Sequence, residues 1–265
     1  MIRYRWATLG CGVIAHQLAE AMKAQGATLY SVANRTKAKA EQFAAQYGIE
    51  KVYDTIEEVF EDENVDVIYI STPHNTHLPY LKQALAAGKH VLCEKSITLN
   101  SKELAEAAAL ARENHVILAE AMTIYHMPIY KELKKRIQAG EFGPLKLIQM
   151  NFGSYKEYDM ENRFFNRHLA GGAMLDIGVY ALSFVRYFMS SKPEEVLSQV
   201  TYAPSGVDEE AGILLKNKEQ EMATVLLSLH AKQPKRGMLS FDRAYVELYE
   251  YPRGEEAVIT YTEDG

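Results

Sequence analysis

The chain has 265 residues, room for one large domain or two modest ones at about 150 residues per domain. Hydrophobic residues make up 48% and charged residues 24%, a mix that buries a core and excludes a disordered, collagen-like or disulfide-stapled chain. The 29 Lys+Arg against 35 Asp+Glu give a formal net charge of −6 with no separate basic stripe, which argues against nucleic acid or an anionic membrane as partner. No apolar run reaches the roughly 18 residues of a bilayer span, and residues 1–6 lack a signal-peptide core. The expectation is a soluble, cytoplasmic protein. Cys11 and Cys93 lie far apart, so neither a zinc ribbon nor a CxxC motif is present, and both read as reduced packing residues.

Over the first 120 residues short apolar runs alternate with helical patterns, the signature of βαβ units around a parallel sheet. Strands are expected at 6–9, 29–33, 67–70, 90–93 and 116–119. Helices are expected at 13–25, 37–47 and 78–87, the last two stopped by Gly48 and Gly88, and from a cap at Asn100 or Ser101 to about 114. The alternation then ceases. A helix at 128–139, a strand at 145–152, a polar aromatic-rich stretch and a helix at 173–189 follow. Strand-like runs at 196–202, 212–216, 223–229, 238–241, 245–249 and 257–261 succeed one another without helices, the pattern of an α+β domain with a largely antiparallel sheet. The predicted architecture is α/β: a doubly wound parallel sheet over 1–122 and an α+β domain over 123–265.

Gly10, Cys11, Gly12, Val13, Ile14 and Ala15 fit G-x-G-x-x-G/A between a predicted strand and helix. Small residues there let the backbone turn tightly against a pyrophosphate, and the helix N-terminus attracts the anion. The motif predicts dinucleotide binding. A ribose-binding acid is expected at the end of the second strand, but the chain reads Ala33-Asn34-Arg35-Thr36-Lys37. A guanidinium without a competing carboxylate suits a 2′-phosphate, so NADP(H) is the expected cofactor, with NAD possible. The plainer alternative makes Arg35 and Lys37 solvated charges at a helix start.

Ser71-Thr72-Pro73-His74-Asn75-Thr76-His77 follows the third strand on the side where ligands bind in open α/β sheets, making Thr72, Pro73 and His77 candidates for cofactor contact. Helix capping is the alternative. The two histidines lack a third ligand at useful spacing, so no metal is expected. Glu94-Lys95 ends the next strand at the same edge. It reads equally as a surface salt bridge or as a proton-handling lysine beside a cofactor. In the second half, Asp176 and Tyr180 are one turn apart on a helix opened by Gly171-Gly172, and residues 175, 179 and 182 are expected to bury it. They form either an inert hydrogen-bonded pair or part of a functional crevice.

Taken together, Gly10-Cys11-Gly12, Ser71-Thr72-Pro73, residues 88–95, Ala119-Glu120-Ala121-Met122 and the run from Gly171 to Tyr180 resemble the Gfo/Idh/MocA family of oxidoreductases over essentially the whole chain. The resemblance implies that Lys95 contacts the nicotinamide ribose and substrate and that Glu94 positions the cofactor. Tyr180, where many members carry His, is similar to the dihydrodiol dehydrogenase and glucose–fructose oxidoreductase branch, whose members favour NADP(H). Ser96 departs from the usual proline, which would lock φ in the turn after Lys95.

The implied reaction moves a hydride between nicotinamide and a carbinol or carbonyl carbon of a sugar-like or cyclic diol substrate held between the domains. Tyr180 acts as general acid/base beside the Lys95 cation, and Asp176 orients the substrate hydroxyl or the lysine. Arg163 is a substrate-contact candidate or a solvated loop arginine. An NAD-linked inositol or sugar dehydrogenase and a non-catalytic, ligand-sensing regulator of the same fold are the alternatives. The resemblance also implies a homodimer or homotetramer formed sheet to sheet, a small polyhydroxy or carbonyl substrate, and a C-terminus truncated after residue 265.

Overall fold

A computed structural model describes residues 4–262. The chain divides into two compact units, Met1–Ala121 and Met122–Gly265. In the first, β1 (Trp6–Leu9), α1 (Val13–Ala24), β2 (Ser31–Ala33), α2 (Lys37–Tyr47), β3 (Lys51–Val52), α3 (Glu58–Glu61), β4 (Val67–Ile70), α4 (His77–Ala86), β5 (His90–Cys93), α5 (Ser101–Glu113) and β6 (Leu118–Glu120) follow in chain order. The six strands pair in parallel in the order β3-β2-β1-β4-β5-β6. The order reverses at β1 and β4, the point where such sheets open a crevice at their C-terminal edge.

Strand periodicity places alternate side chains on opposite faces, and the core divides accordingly. Val32 packs with Ala15, Ala19, Phe43 and Ala44 of α1 and α2, whereas Leu9, Ile68 and Ile70 pack with Leu81, Leu85, Ala107 and Ala111 of α4 and α5. Local chemistry sets the helix ends. Gly48 takes the left-handed conformation that stops α2. Asn100 accepts the Glu103 amide while Glu103 accepts the Leu99 amide, which starts α5. The last strand begins two residues later than the apolar run suggests: the Ile117 amide donates to His90 Nδ1, and its side chain stays 66% exposed.

The second unit contains α6 (Pro128–Gln138), β7 (Leu145–Gly153), α7 (Val179–Phe188), β8 (Glu195–Tyr202), β9 (Asp208–Lys216), β10 (Met222–Ser228), β11 (Arg236–Phe241), β12 (Ala244–Tyr249) and β13 (Ala257–Tyr261). Its seven-stranded sheet runs β13-β12-β11-β7-β10-β9-β8, antiparallel except for the β7–β10 pair. One face carries Ile148, Met150, Val225, Leu239 and Val246 into a core closed by α6 and α7. The other leaves Leu147, Leu226, Tyr245 and Val258 exposed.

The segment Arg167–Phe188 is long and apolar enough by composition to cross a membrane, although no continuous apolar run shows it. It is broken into a 3-10 turn, a π turn and α7, and Ile177, Phe184, Val185 and Phe188 enter the core of the unit, as in a core helix. From Ala173 through the π turn into α7 the most deeply buried residues are Ala173, Ile177, Ala181, Phe184 and Phe188, while Val179 and Leu182 of the expected stripe are partly buried against the same core and Leu175 is partly exposed. Both stripes are apolar, and contact with the sheet, which periodicity does not encode, decides which is buried deeper.

Candidate functional site

The glycine loop leaves β1 through Gly10, whose amide donates to Ala33 O at 2.9 Å. Its φ is +107°, and a Cβ there would stand 2.9 Å from Ser71 Oγ and 3.1 Å from Ser71 O. Only glycine lets the loops after β1 and β4 lie this close. Gly12 has another reason: nothing lies within 4 Å of where its Cβ would be. It precedes α1, which has no side-chain cap and no acid in its first turn, while Val13 is 74% and Ile14 38% exposed. Open space before uncapped N–H groups fits a pyrophosphate. Burial, with Lys39 pulling the other way, pushes the Cys11 thiol up to about 11, so no thiolate competes with that anion.

At the end of β2 the structure separates the two basic residues. Lys37 is engaged by Asp54 and lies 3.9 Å from Glu41. Arg35 is exposed beside Asn34, whose side chain donates to Thr36 O at 2.9 Å.

After β4, Thr76 Oγ1 donates to Pro73 O at 2.6 Å and accepts from Thr72 Oγ1 at 2.8 Å, tying the turn while Pro73 stays exposed. The Lys95 segment is held at consecutive residues. The Glu94 amide donates to Ile70 O at 2.9 Å, and Tyr69 OH donates to Glu94 Oε1 at 2.5 Å. His74 Nε2 lies 3.1 Å from Lys95 O, His77 Nδ1 lies 2.8 Å from Ser96 O, and the Ile97 amide donates to Glu120 Oε1 at 3.0 Å. The Lys95–Ser96 peptide is cis. Burial raises the Glu120 carboxyl, and the Ile97 N–H pulls it back.

His77 is not placed as expected. It is fully buried, with Nε2 2.8 Å from Thr72 O, so it fastens two loops rather than facing a cofactor. His74 and Glu120 belong to the same scaffold. Their signal was present, a histidine and an acid at or beside parallel strand ends, but the pairing depends on which strands are neighbours.

In the second unit, residues 174–178 form a π turn that leads into α7 and presents Asp176 and then Tyr180. Arg163 Nη2 lies 3.7 Å from Asp176 Oδ1, and its guanidinium sits 4.2 Å from the centre of the Phe164 ring. Asp176 is 8% exposed and Arg163 exposed, so a nearly buried acid has a solvent-facing cation beside it. The paired glycines are explained by packing. A Cβ on Gly171 would meet Phe164 O at 2.6 Å and Arg163 O at 2.9 Å, and the Gly172 amide donates to Phe164 O. Gly172 has φ +121°, and a Cβ there would strike Asp208 Oδ1 at 2.1 Å.

Asp208 is a residue that sequence reasoning missed. It accepts the Met174 amide at 2.6 Å and so caps the helix start from the beginning of β9. Burial raises its pKa, partly offset by the N–H groups of Met174, Asp208 and Ala173. Tyr180 is half-buried, its ring 6.1 Å from Phe152 and 6.4 Å from Tyr251. The Tyr251 hydroxyl donates to the Tyr180 carbonyl. Among the described residues no cluster of His, Cys, Asp and Glu is arranged to hold a metal.

Comparison with known proteins bears on this geometry. Residues 4–122 match the family described as oxidoreductase family, NAD-binding Rossmann fold, and residues 130–248 match the GFO/IDH/MocA C-terminal domain. The chain is 32% identical to trans-1,2-dihydrobenzene-1,2-diol dehydrogenase of Danio rerio over 89% of its own length and 71% of that protein. This chain belongs to the Gfo/Idh/MocA family of oxidoreductases. The human dihydrodiol dehydrogenase is 30% identical over 92% of this chain and 74% of its own.

Among solved structures, an aldose–aldose oxidoreductase from Caulobacter crescentus, complexed with glycerol, superposes with a TM-score of 0.89. It shares 23% identity and covers 100% of this chain and 82% of that one, a likeness of fold. A 3-ketoreductase from Actinomadura kijaniata, in complex with NADP and TDP-benzene, gives 0.87 at 21% identity over 98% of this chain and 84% of that one. As a family member the chain is an NAD(P)-binding oxidoreductase acting on hydroxyl groups.

Proposed function

We propose that this Gfo/Idh/MocA member is an NADP(H)-dependent oxidoreductase that interconverts a carbinol and a carbonyl in a sugar-like or cyclic diol substrate. The observation that carries the cofactor choice is the end of β2. Arg35 is exposed there where an NAD site would place an acid, while Lys37 is spent on Asp54. Gly12, with open space at its Cβ position, and the uncapped start of α1 would take the pyrophosphate, with Gly10, Cys11, Val13 and Ile14 around it. Asn34 and Arg35 would take the adenosine ribose and its 2′-phosphate, and Thr72 and Pro73 would line the path toward Glu94 and Lys95.

Bound NADP(H) supplies or accepts the hydride at its nicotinamide. Tyr180 gives or takes the proton at the substrate oxygen, and Lys95 is the cation that meets the nicotinamide ribose. Asp176, backed by the Arg163 cation, accepts a substrate hydroxyl and orients it. The free thiols Cys11 and Cys93 accord with a reducing, cytoplasmic setting. The uncovered sheet face bearing Leu147, Leu226, Tyr245 and Val258 supports a homodimer or homotetramer.

The test is NADPH oxidation and NADP reduction over a panel of aldoses, ketoses and trans-diols, repeated with the NAD pair. Turnover with NADPH favoured at least tenfold is expected. Equal use of NADH would overturn the cofactor choice, and tight NADPH binding without turnover on the whole panel would favour a ligand sensor.

A further inference from the structure

We infer that His77 is a positioning residue that joins the Thr72–Pro73 turn to the Lys95 segment, so that a cofactor meets the two loops as one preformed unit. The inference rests on the proposed roles of those loops and deepens them.

The ring is fully buried and lies between two backbone carbonyls from different loops, each 2.8 Å from a ring nitrogen. A neutral imidazole has one N–H and donates to one carbonyl at a time; the cation donates to both. Burial pulls His77 down from the ordinary histidine range, and the carbonyls of Thr72, Ser96 and Ile97 push the other way. As the cation the rigid ring donates to both carbonyls at once and so fixes the distance between the two loops. The ring is also the first residue of α4, so a buried helix end anchors the link.

Two neighbours work on the same segment: His74 at Lys95 O, with its ring 5.7 Å from that of His77, and Glu120 at the Ile97 amide. Lys95 is thus followed by Ser96, a residue with no ring to restrict its φ, and side chains from β6 and the loop before α4 supply the restraint. His77 acts on Lys95 through the backbone; its ring takes no part in the chemistry.

The experiment compares His77→Leu, which removes both nitrogens, with His77→Gln, which keeps a donor. Amide hydrogen exchange at Ile97 is read against the β4 amides, alongside the NADPH dissociation constant and kcat. In His77→Leu, Ile97 should exchange at least tenfold faster while the Val67–Ile70 amides keep their protection. NADPH affinity should fall at least threefold, because the loops must then be ordered on binding, and turnover at saturating NADPH should fall at least tenfold. His77→Gln should recover at least a third of the lost protection. Unchanged Ile97 exchange in folded His77→Leu would overturn the inference, as would a uniform rise that includes β4, which would make the ring a stabiliser of the fold only. If the wild type turns over nothing on the substrate panel, the proposed reaction fails, while Ile97 exchange still decides the role of His77.

Discussion

In the first unit, the side chains that hold the candidate site are about one βα repeat from what they hold: His77 and Ser96 are 19 positions apart, His74 and Lys95 21, Ile97 and Glu120 23. In the second unit, Met174 takes its cap from Asp208, 34 positions on, and the Tyr180 carbonyl takes a hydroxyl from Tyr251, 71 positions on. The difference follows from topology. In a parallel sheet wound by right-handed crossovers, consecutive strands β4, β5 and β6 are neighbours, so their C-terminal loops meet in order. The second sheet places β10 between β7 and β9, so its site is assembled from segments far apart in the chain.

The contrast predicts a sharp difference between two glycines with positive φ. Gly172→Ala combines a strained backbone with the loss of the Asp208 cap and should cost about 3 kcal/mol in chemical denaturation. Gly48→Ala faces open space at φ +68° and should cost only about 1 kcal/mol. Equal losses would erase the distinction between long-range and local constraint.

Tyr180→Phe should lower kcat on the order of 10²-fold while leaving NADPH affinity unchanged, because the lost hydroxyl belongs to proton transfer. A parallel loss of NADPH affinity would move Tyr180 into cofactor binding. Arg35→Ala should raise the KM for NADPH about tenfold and leave that for NADH alone, measured in the same assay. A similar rise for both cofactors would reduce Arg35 to general electrostatics.

The smallest test is pH dependence, where the units should respond with opposite sign. Burial pushes Asp62 up, but donors from Lys51, Tyr53 and Asn64 outweigh it and hold the carboxyl well below the ordinary range. A lowered folded pKa means stability that is present above about pH 4 and lost as pH falls through the folded value. Asp208 is raised, so the folded state binds its proton more tightly, and stability declines as pH rises from about 4 through the folded value. Relative to wild type, Asp62→Asn should flatten the acid-side loss and Asp208→Asn the decline above pH 4, followed by thermal midpoint against pH.

Much of the first unit was legible because its signals are local. Gly48 stops α2, Asn100 starts α5, and Gly10 and Gly12 sit between a strand and a helix, each within a few residues of what it controls. His77 misled for the opposite reason: the spacing placed it in the right loop, and only packing turned its ring inward. In the second unit the helix bearing Asp176 and Tyr180 was visible in the pattern, while its most deeply buried stripe, its π turn and its cap were not. Glu209 shows the same limit, since an acid in a run of three carboxylates became a 7% exposed partner of the Tyr158 hydroxyl.

By itself, then, the sequence determined the parallel α/β half, the strand-rich half, the glycine loop, and the residue types at positions 35, 95, 176 and 180, because propensity, periodicity and motif spacing act over a few residues. The tertiary structure decided that Arg35 stays exposed while Lys37 is taken, that the Lys95 segment is held by His74, His77 and Glu120, and that Gly172 makes room for Asp208. Those outcomes depend on which loops become neighbours, and hydrogen bonding between groups far apart in the chain is set only once the sheets have formed.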